Sequence, residues 1–181
     1  GEGDKDRVAT YPVGIGDEGW DTPIGTYRVI EKIENPAWHV PESIRAQKPE
    51  LPAVVPPGPN NPLGNRALRL SIGTVLIHGT DRPFGIGMRV SHGCIHLYPE
   101  DILELFKRVP VGTRVVIVNQ PVKVALASGR VLVEVHENGV ATQAQQAWQL
   151  LERKGIANLV DPEKFHAALV SHSGVVTDVT R

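Results

Sequence analysis

The sequence predicts a β-rich α+β fold, a β-sandwich with one helix after its central motif and a helical C-terminal extension. Three observations carry this. Short β-branched or alternating runs recur through the first 136 residues, separated by Gly and Pro. Within that stretch one segment, Pro99 to Val109, has a strong helical pattern. Two further helical patterns follow it near the C-terminus. With 181 residues, 41% of them hydrophobic, the chain can bury one ordinary core. The expected organisation is one main domain over 1–136 and a mainly helical extension over 137–181 packed on it.

The first strand is Gly25 to Ile33, with Pro23 and Gly25 making a turn before it; strict alternation would put Tyr27, Val29, Glu31 and Ile33 on one side. Asn35 to Arg66 holds eight of the fifteen prolines, which deny helix and central-strand hydrogen bonding, so a long ordered loop or lid is expected. A loop of that length in a compact domain is a candidate wall for a substrate groove. Ala67 to Ile72 and Thr74 to His78 read as two strands broken by Gly73, the second ending at His78-Gly79. The Pro99 helix carries Ile102, Leu105, Phe106 and Val109 on its apolar side, with Glu100 and Asp101 suiting the positive end of its dipole. Thr113 to Asn119 reads as a buried strand, and Val122 to Leu126 with Val131 to His136 as a hairpin turning at Ser128-Gly129-Arg130. The closing helices span about Thr142 to Lys154, stopped by Gly155, and a segment opened by Asp161-Pro162.

Composition narrows the function classes. A net charge of -1 and the lack of any Lys/Arg run exclude the electrostatic footprint of a nucleic-acid binder. No apolar stretch approaches the roughly 20 residues needed to cross a bilayer. Met88 is the only methionine, so Gly1 is not an initiator and a processed or truncated product is expected. The single cysteine excludes an internal disulfide and leaves a free thiol.

That thiol, Cys94, sits in Ser91-His92-Gly93-Cys94-Ile95-His96. At an ordinary pKa near 8.5 only a few per cent of a thiol is ionised at neutral pH, so a catalytic cysteine needs a base or a positive field nearby. His92 and His78 are both candidates: His92 lies two residues away but across a glycine that implies a turn, and His78 stands at a strand end that could lie beside that turn. Spacing does not choose between them. Gly93 also lets backbone N–H groups around Cys94 converge on one point, as an oxyanion site requires. No cofactor is implied, because the chemistry of a thiolate, a base and backbone donors requires none.

Ile77-His78-Gly79-Thr80, Ile86-Gly87 and Ser91-His92-Gly93-Cys94 together resemble the signature of the L,D-transpeptidase family of YkuD-type domains. Tyr11-Pro12-Val13-Gly14-Ile15-Gly16 and Thr22-Pro23-Ile24-Gly25-Thr26-Tyr27 extend the resemblance upstream. Leu97-Tyr98-Pro99-Glu100-Asp101-Ile102 and Pro110-Val111-Gly112-Thr113 extend it downstream, and the proline-rich loop is similar to that of Gram-negative envelope members. The resemblance implies Cys94 as nucleophile, His78 as general base, the Gly79 carbonyl as its orienter, and His92, Gly93 and Cys94 as the frame of the oxyanion site. It implies acyl transfer on peptidoglycan stem peptides in the periplasm or cell envelope, with D-alanine as leaving group. The acceptor is then an amine of another stem, a lysine of an outer-membrane lipoprotein, or water. Two residues after the nucleophile the family commonly has Arg or Asn, whereas this chain has His96. An always-charged fork has there become a titratable ring, which bears on substrate preference. Ser91, His96 and Arg89 are the remaining candidates for substrate contact or support.

Two rival readings come from other classes. On a flat strand His92, Cys94 and His96 would share a side, and His78 could complete a zinc set, although the chain has neither Cys-x-x-Cys nor His-x-x-x-His spacing. A non-catalytic wall-binding domain with a vestigial Cys-His pair is the other. Hydrolysis without transfer is a third outcome on the same fold. Arg82, Trp20, Trp38, Tyr27, His39, His136, His166 and His172 receive no role.

Overall fold

The computed structural model describes residues 8–136 and 143–181. Its elements are β1 (Ile15–Gly16), β2 (Gly25–Glu34), β3 (Trp38–His39), α1 (Glu42–Gln47), β4 (Val54–Val55), β5 (Arg66–Leu70), β6 (Leu76–His78), β7 (Arg89–Ser91), β8 (Ile95–His96), α2 (Pro99–Arg108) and β9 (Arg114–Ile117). These are followed by β10 (Val122–Ala127), β11 (Arg130–Val135), α3 (Gln143–Arg153), α4 (Pro162–Ser171) and β12 (Thr177–Asp178). The class is the sheet-rich α+β that the sequence leads one to expect.

The chain forms two compact units, Gly1–Val118 and Asn119–Arg181. The division falls earlier than His136, where the sequence places it. The reason is the β10–β11 hairpin: Val122, Val131, Val133 and Val135 are buried with Ala147 and Leu151 of α3 and with Phe165 and Ala168 of α4. Its apolar face therefore closes the core of the second unit, and β12 extends the same sheet beside β11. Asp161 caps α4 by accepting from the amides of Glu163 and Lys164 at 2.9 and 3.0 Å, with Pro162 in the first turn. Thr142, the expected start of α3, lies outside the described residues.

The first unit is built on a five-stranded sheet in the order β8-β6-β5-β2-β9. All its pairings are antiparallel except β6 with β8, where Ile77 faces Ile95 and His78 faces His96. One face of the sheet carries the main core: Val29, Leu68, Leu70 and Ile77 pack with Leu97 and with Ile102 and Phe106 of α2. The other face carries Ala67 and Leu76, covered by Leu63 and Trp38 from the proline-rich segment, with Ile33 and Cys94 against them.

Two features of this unit depart from the sequence expectation. In β2, Val29 pairs with Leu70 but Glu31 already pairs with Arg69, so Ile30 is an extra residue, a β-bulge, and is half-exposed. The bulge inverts the alternation. Tyr27 and Val29 stay with the main core, while Ile33 turns to the opposite face, and Glu31 with it. The proline-rich segment is also more structured than a loop: it holds the β3–β4 pair and the short α1, which starts immediately after Pro41. Its fastening is Asn61, 1% exposed, whose Nδ2 donates to the carbonyls of Pro36, Val55 and Pro56 while Oδ1 accepts from the Leu63 amide. One buried amide thus replaces the ladder bonds that proline cannot make.

Candidate active site

The parallel β6–β8 pairing arranges the site. Ile77 and Ile95 point into the main core, so alternation sends Leu76, His78 and His96 to the other face, and Cys94 packs with Leu76 there. Cys94 and His78 are therefore diagonal neighbours on one sheet face, under the proline-rich segment.

The Ser91–Cys94 turn is closed by the Ser91 hydroxyl, which donates to the Cys94 carbonyl at 2.6 Å and accepts from the Gly93 amide at 3.2 Å. Gly93 has φ +97°, a conformation that any side chain would strain, and the space beside it is bounded by the Trp20 and Asp21 carbonyls. The Gly93 amide is thus hydrogen-bonded within the turn. Cys94 Sγ accepts from the Leu76 amide at 3.5 Å and lies 3.9 Å from the Thr74 carbonyl. Burial pushes the thiol above its ordinary pKa, partly offset by the Leu76 N–H and the Arg69 guanidinium.

His78 is 2% exposed, with Nδ1 2.6 Å from the Gly79 carbonyl. That contact fits an Nδ1–H donor and leaves Nε2 with its lone pair. Burial pushes its pKa down to about 3, reinforced by His96 and opposed by backbone contacts to Gly79 and Leu63. The His96 ring lies 4.4 Å from that of His78, centroid to centroid; burial also lowers its pKa, with Asp81 acting in the other direction. At rest the site pairs a neutral thiol with neutral imidazoles, and no hydrogen bond joins Cys94 to His78 among the described residues.

The other candidates lie apart. His92 is exposed and its ring packs on Trp20 at 4.6 Å. Arg89 is exposed and pairs with Asp21, which braces the Trp20 segment against β7. Among the described residues no three His, Cys, Asp or Glu side chains are grouped so as to hold a metal ion. A cavity of about 300 Å³ adjoins the site, lined by Asn35, Asn61, Asn65, Gly79, Thr80 and Asp81; it reaches the residue that orients His78 but not Cys94 itself. Strand register and loop packing also bring to the site Arg69 and Asn61, which the sequence does not single out, and Trp20, to which it gives no role.

The buried histidines carry a pH consequence. Between about pH 3 and 6.5 the unfolded chain binds a proton at position 78 that the native chain does not, so stability rises with pH across that window. For one such group the slope is at most about 1.4 kcal/mol per pH unit. Urea unfolding from pH 7 down to pH 4 is expected to show progressive loss, and His78→Asn to flatten it; an unchanged slope in that variant would place the titrating group elsewhere.

Comparison with known proteins gives the family. Residues 2–117 match the model of the L,D-transpeptidase catalytic domain. The chain is 50% identical to "Probable L,D-transpeptidase YcfS" of Escherichia coli K12 over 98% of this chain and 60% of that protein. It is 46% identical to "Probable L,D-transpeptidase YbiS" of the same strain over 76% of this chain and 47% of that one. Thus it spans about half to three fifths of the length of these curated relatives. Among solved structures, an L,D-transpeptidase from Mycobacterium smegmatis aligns with a TM-score of 0.47 at 24% identity, covering 64% of this chain and 51% of that one. With its matched region running from before β1 to the end of β9, this chain belongs to the L,D-transpeptidase catalytic domain family.

Proposed function

We propose that the protein is a cysteine acyltransferase that acts on peptidoglycan stem peptides in the cell envelope, with Cys94 as nucleophile and His78 as general base. The observation that carries this reading is the juxtaposition of a free thiol and a buried histidine on one sheet face, with the histidine oriented by the Gly79 carbonyl. Substrate enters with the amide between its third residue and D-alanine against Cys94. Sγ attacks the carbonyl carbon as Nε2 of His78 takes the thiol proton, and the amides of His92 and Cys94 hold the oxyanion. The C–N bond then breaks, His78 returns the proton to the leaving amine, and D-alanine departs, leaving a thioester. An acceptor amine attacks that thioester with His78 again taking a proton, and Cys94 is restored as a thiol.

Family membership supports transfer as the outcome; the acceptor is an amine of a second stem or a lysine of an outer-membrane lipoprotein. The test is product analysis with a disaccharide-tetrapeptide, with and without a stem-peptide amine acceptor. Release of D-alanine with formation of a cross-linked dimer is the expected result. Release of D-alanine with only tripeptide product, whatever the acceptor concentration, would make the protein a hydrolase.

A further inference from the structure

The β2 bulge has placed an ion pair beside the nucleophile. Glu31 pairs in register with Arg69, and Arg69 with Leu76, whose amide contacts Cys94 Sγ. Arg69 is held at two points: Nε donates to Glu31 at 2.7 Å, and Nη1 to the Gly73 carbonyl at 3.2 Å. The next carbonyl along the chain, that of Thr74, lies 3.9 Å from the sulfur. Guanidinium and thiol therefore flank the same β5–β6 turn and meet its successive carbonyls. Nη2 of Arg69 has no protein partner among the described residues, and the side chain is 37% exposed. An exposed strand ion pair contributes little to stability, so its anchoring at two points is better explained by what the fork faces. A guanidinium fixed in this way is preorganised for a carboxylate, and its charge does not titrate.

We propose that Arg69, oriented by Glu31 and the Gly73 carbonyl, is a substrate-binding residue that takes a carboxylate flanking the scissile amide. This rests on the acyltransferase reading and specifies how the donor is seated. Two carboxylates of a stem have the right chemistry: the terminal one of D-alanine and the side-chain one of diaminopimelate. Both lie within a residue of the bond that is cut.

The experiment measures kcat and KM of acylation by wild type, Arg69→Gln and Arg69→Lys on three donors: the disaccharide-tetrapeptide and two analogues, each with one of those carboxylates converted to a carboxamide. One amidation is expected to cost wild type about tenfold or more in kcat/KM, mainly through KM, and to cost Arg69→Gln nothing further, which identifies the carboxylate. Arg69→Lys, which keeps the charge but loses the fork, is expected to show an intermediate preference and serves if the glutamine variant folds poorly. Equal slowing of all three donors by Arg69→Gln, or an undiminished preference in it, would overturn the subsite. If wild type acylates with none of the three while Cys94 still reacts with iodoacetamide, the acyltransferase reading fails, and the subsite with it.

Discussion

Cys94→Ala is expected to abolish acylation, with a loss of at least about 10⁴-fold, since removal of a nucleophile leaves only the contribution of binding and the oxyanion donors. The substitution removes one sulfur from a small apolar cluster of Leu63, Ala67 and Leu76, so thermal melting should change little. The Ser91–Cys94 turn is held by Ser91 Oγ through backbone atoms and survives the change. Loss of turnover in a protein that melts normally separates chemistry from folding. D-alanine release by the alanine variant at more than a few per cent of the wild-type rate would remove Cys94 from the nucleophile role.

His78→Ala is expected to lower the acylation rate by about 10² to 10⁴, the range over which a positioned general base acts. His92→Ala is expected to cost far less, because its ring is exposed on Trp20. The contrast tests the base assignment that spacing left open; equal losses in the two variants would undo it. Since burial holds His78 neutral to about pH 3, the acid limb of the acylation profile should lie well below pH 6.5. Burial raises the Cys94 thiol, so iodoacetamide labelling of the resting enzyme should have its midpoint above that of an ordinary thiol. Nor should His78→Ala shift that midpoint greatly, because no hydrogen bond links the two groups at rest. A midpoint near neutrality that moves on loss of His78 would mean a preformed thiolate–imidazolium pair.

How much of this was legible in the sequence depends on whether the determinant was local. Pro99 at a helix start, Asp161 as a cap and Ser128-Gly129 as a hairpin turn each act within a few residues, and the elements they set appear where expected. The Ser91-to-Cys94 motif was legible for the same reason. The bulge at Ile30 was not: alternation in β2 reads as continuous, and only pairing with β5 shows that Glu31 and Ile33 change face. Nor could spacing show that His78 and Cys94 would share a sheet face, since that follows from the parallel pairing of β6 with β8, which are joined through β7. The β10–β11 hairpin reads in the sequence as part of the first domain, but its valines are buried by α3 and α4, which follow it in the chain. In the proline-rich segment, ordering depends on one buried amide, Asn61, whose partners lie as far as 25 residues away.

The central claim is that Cys94 carries the acyl group. Its most direct test is the intact mass of wild type and Cys94→Ala after incubation with a disaccharide-tetrapeptide, followed by peptide mapping. The expected result is a wild-type adduct equal to the donor less D-alanine, mapped to Cys94, cleared by an amine acceptor and missing from the variant. A wild type that stays unmodified while the donor is consumed, or an adduct of the same mass on Cys94→Ala, would contradict the account.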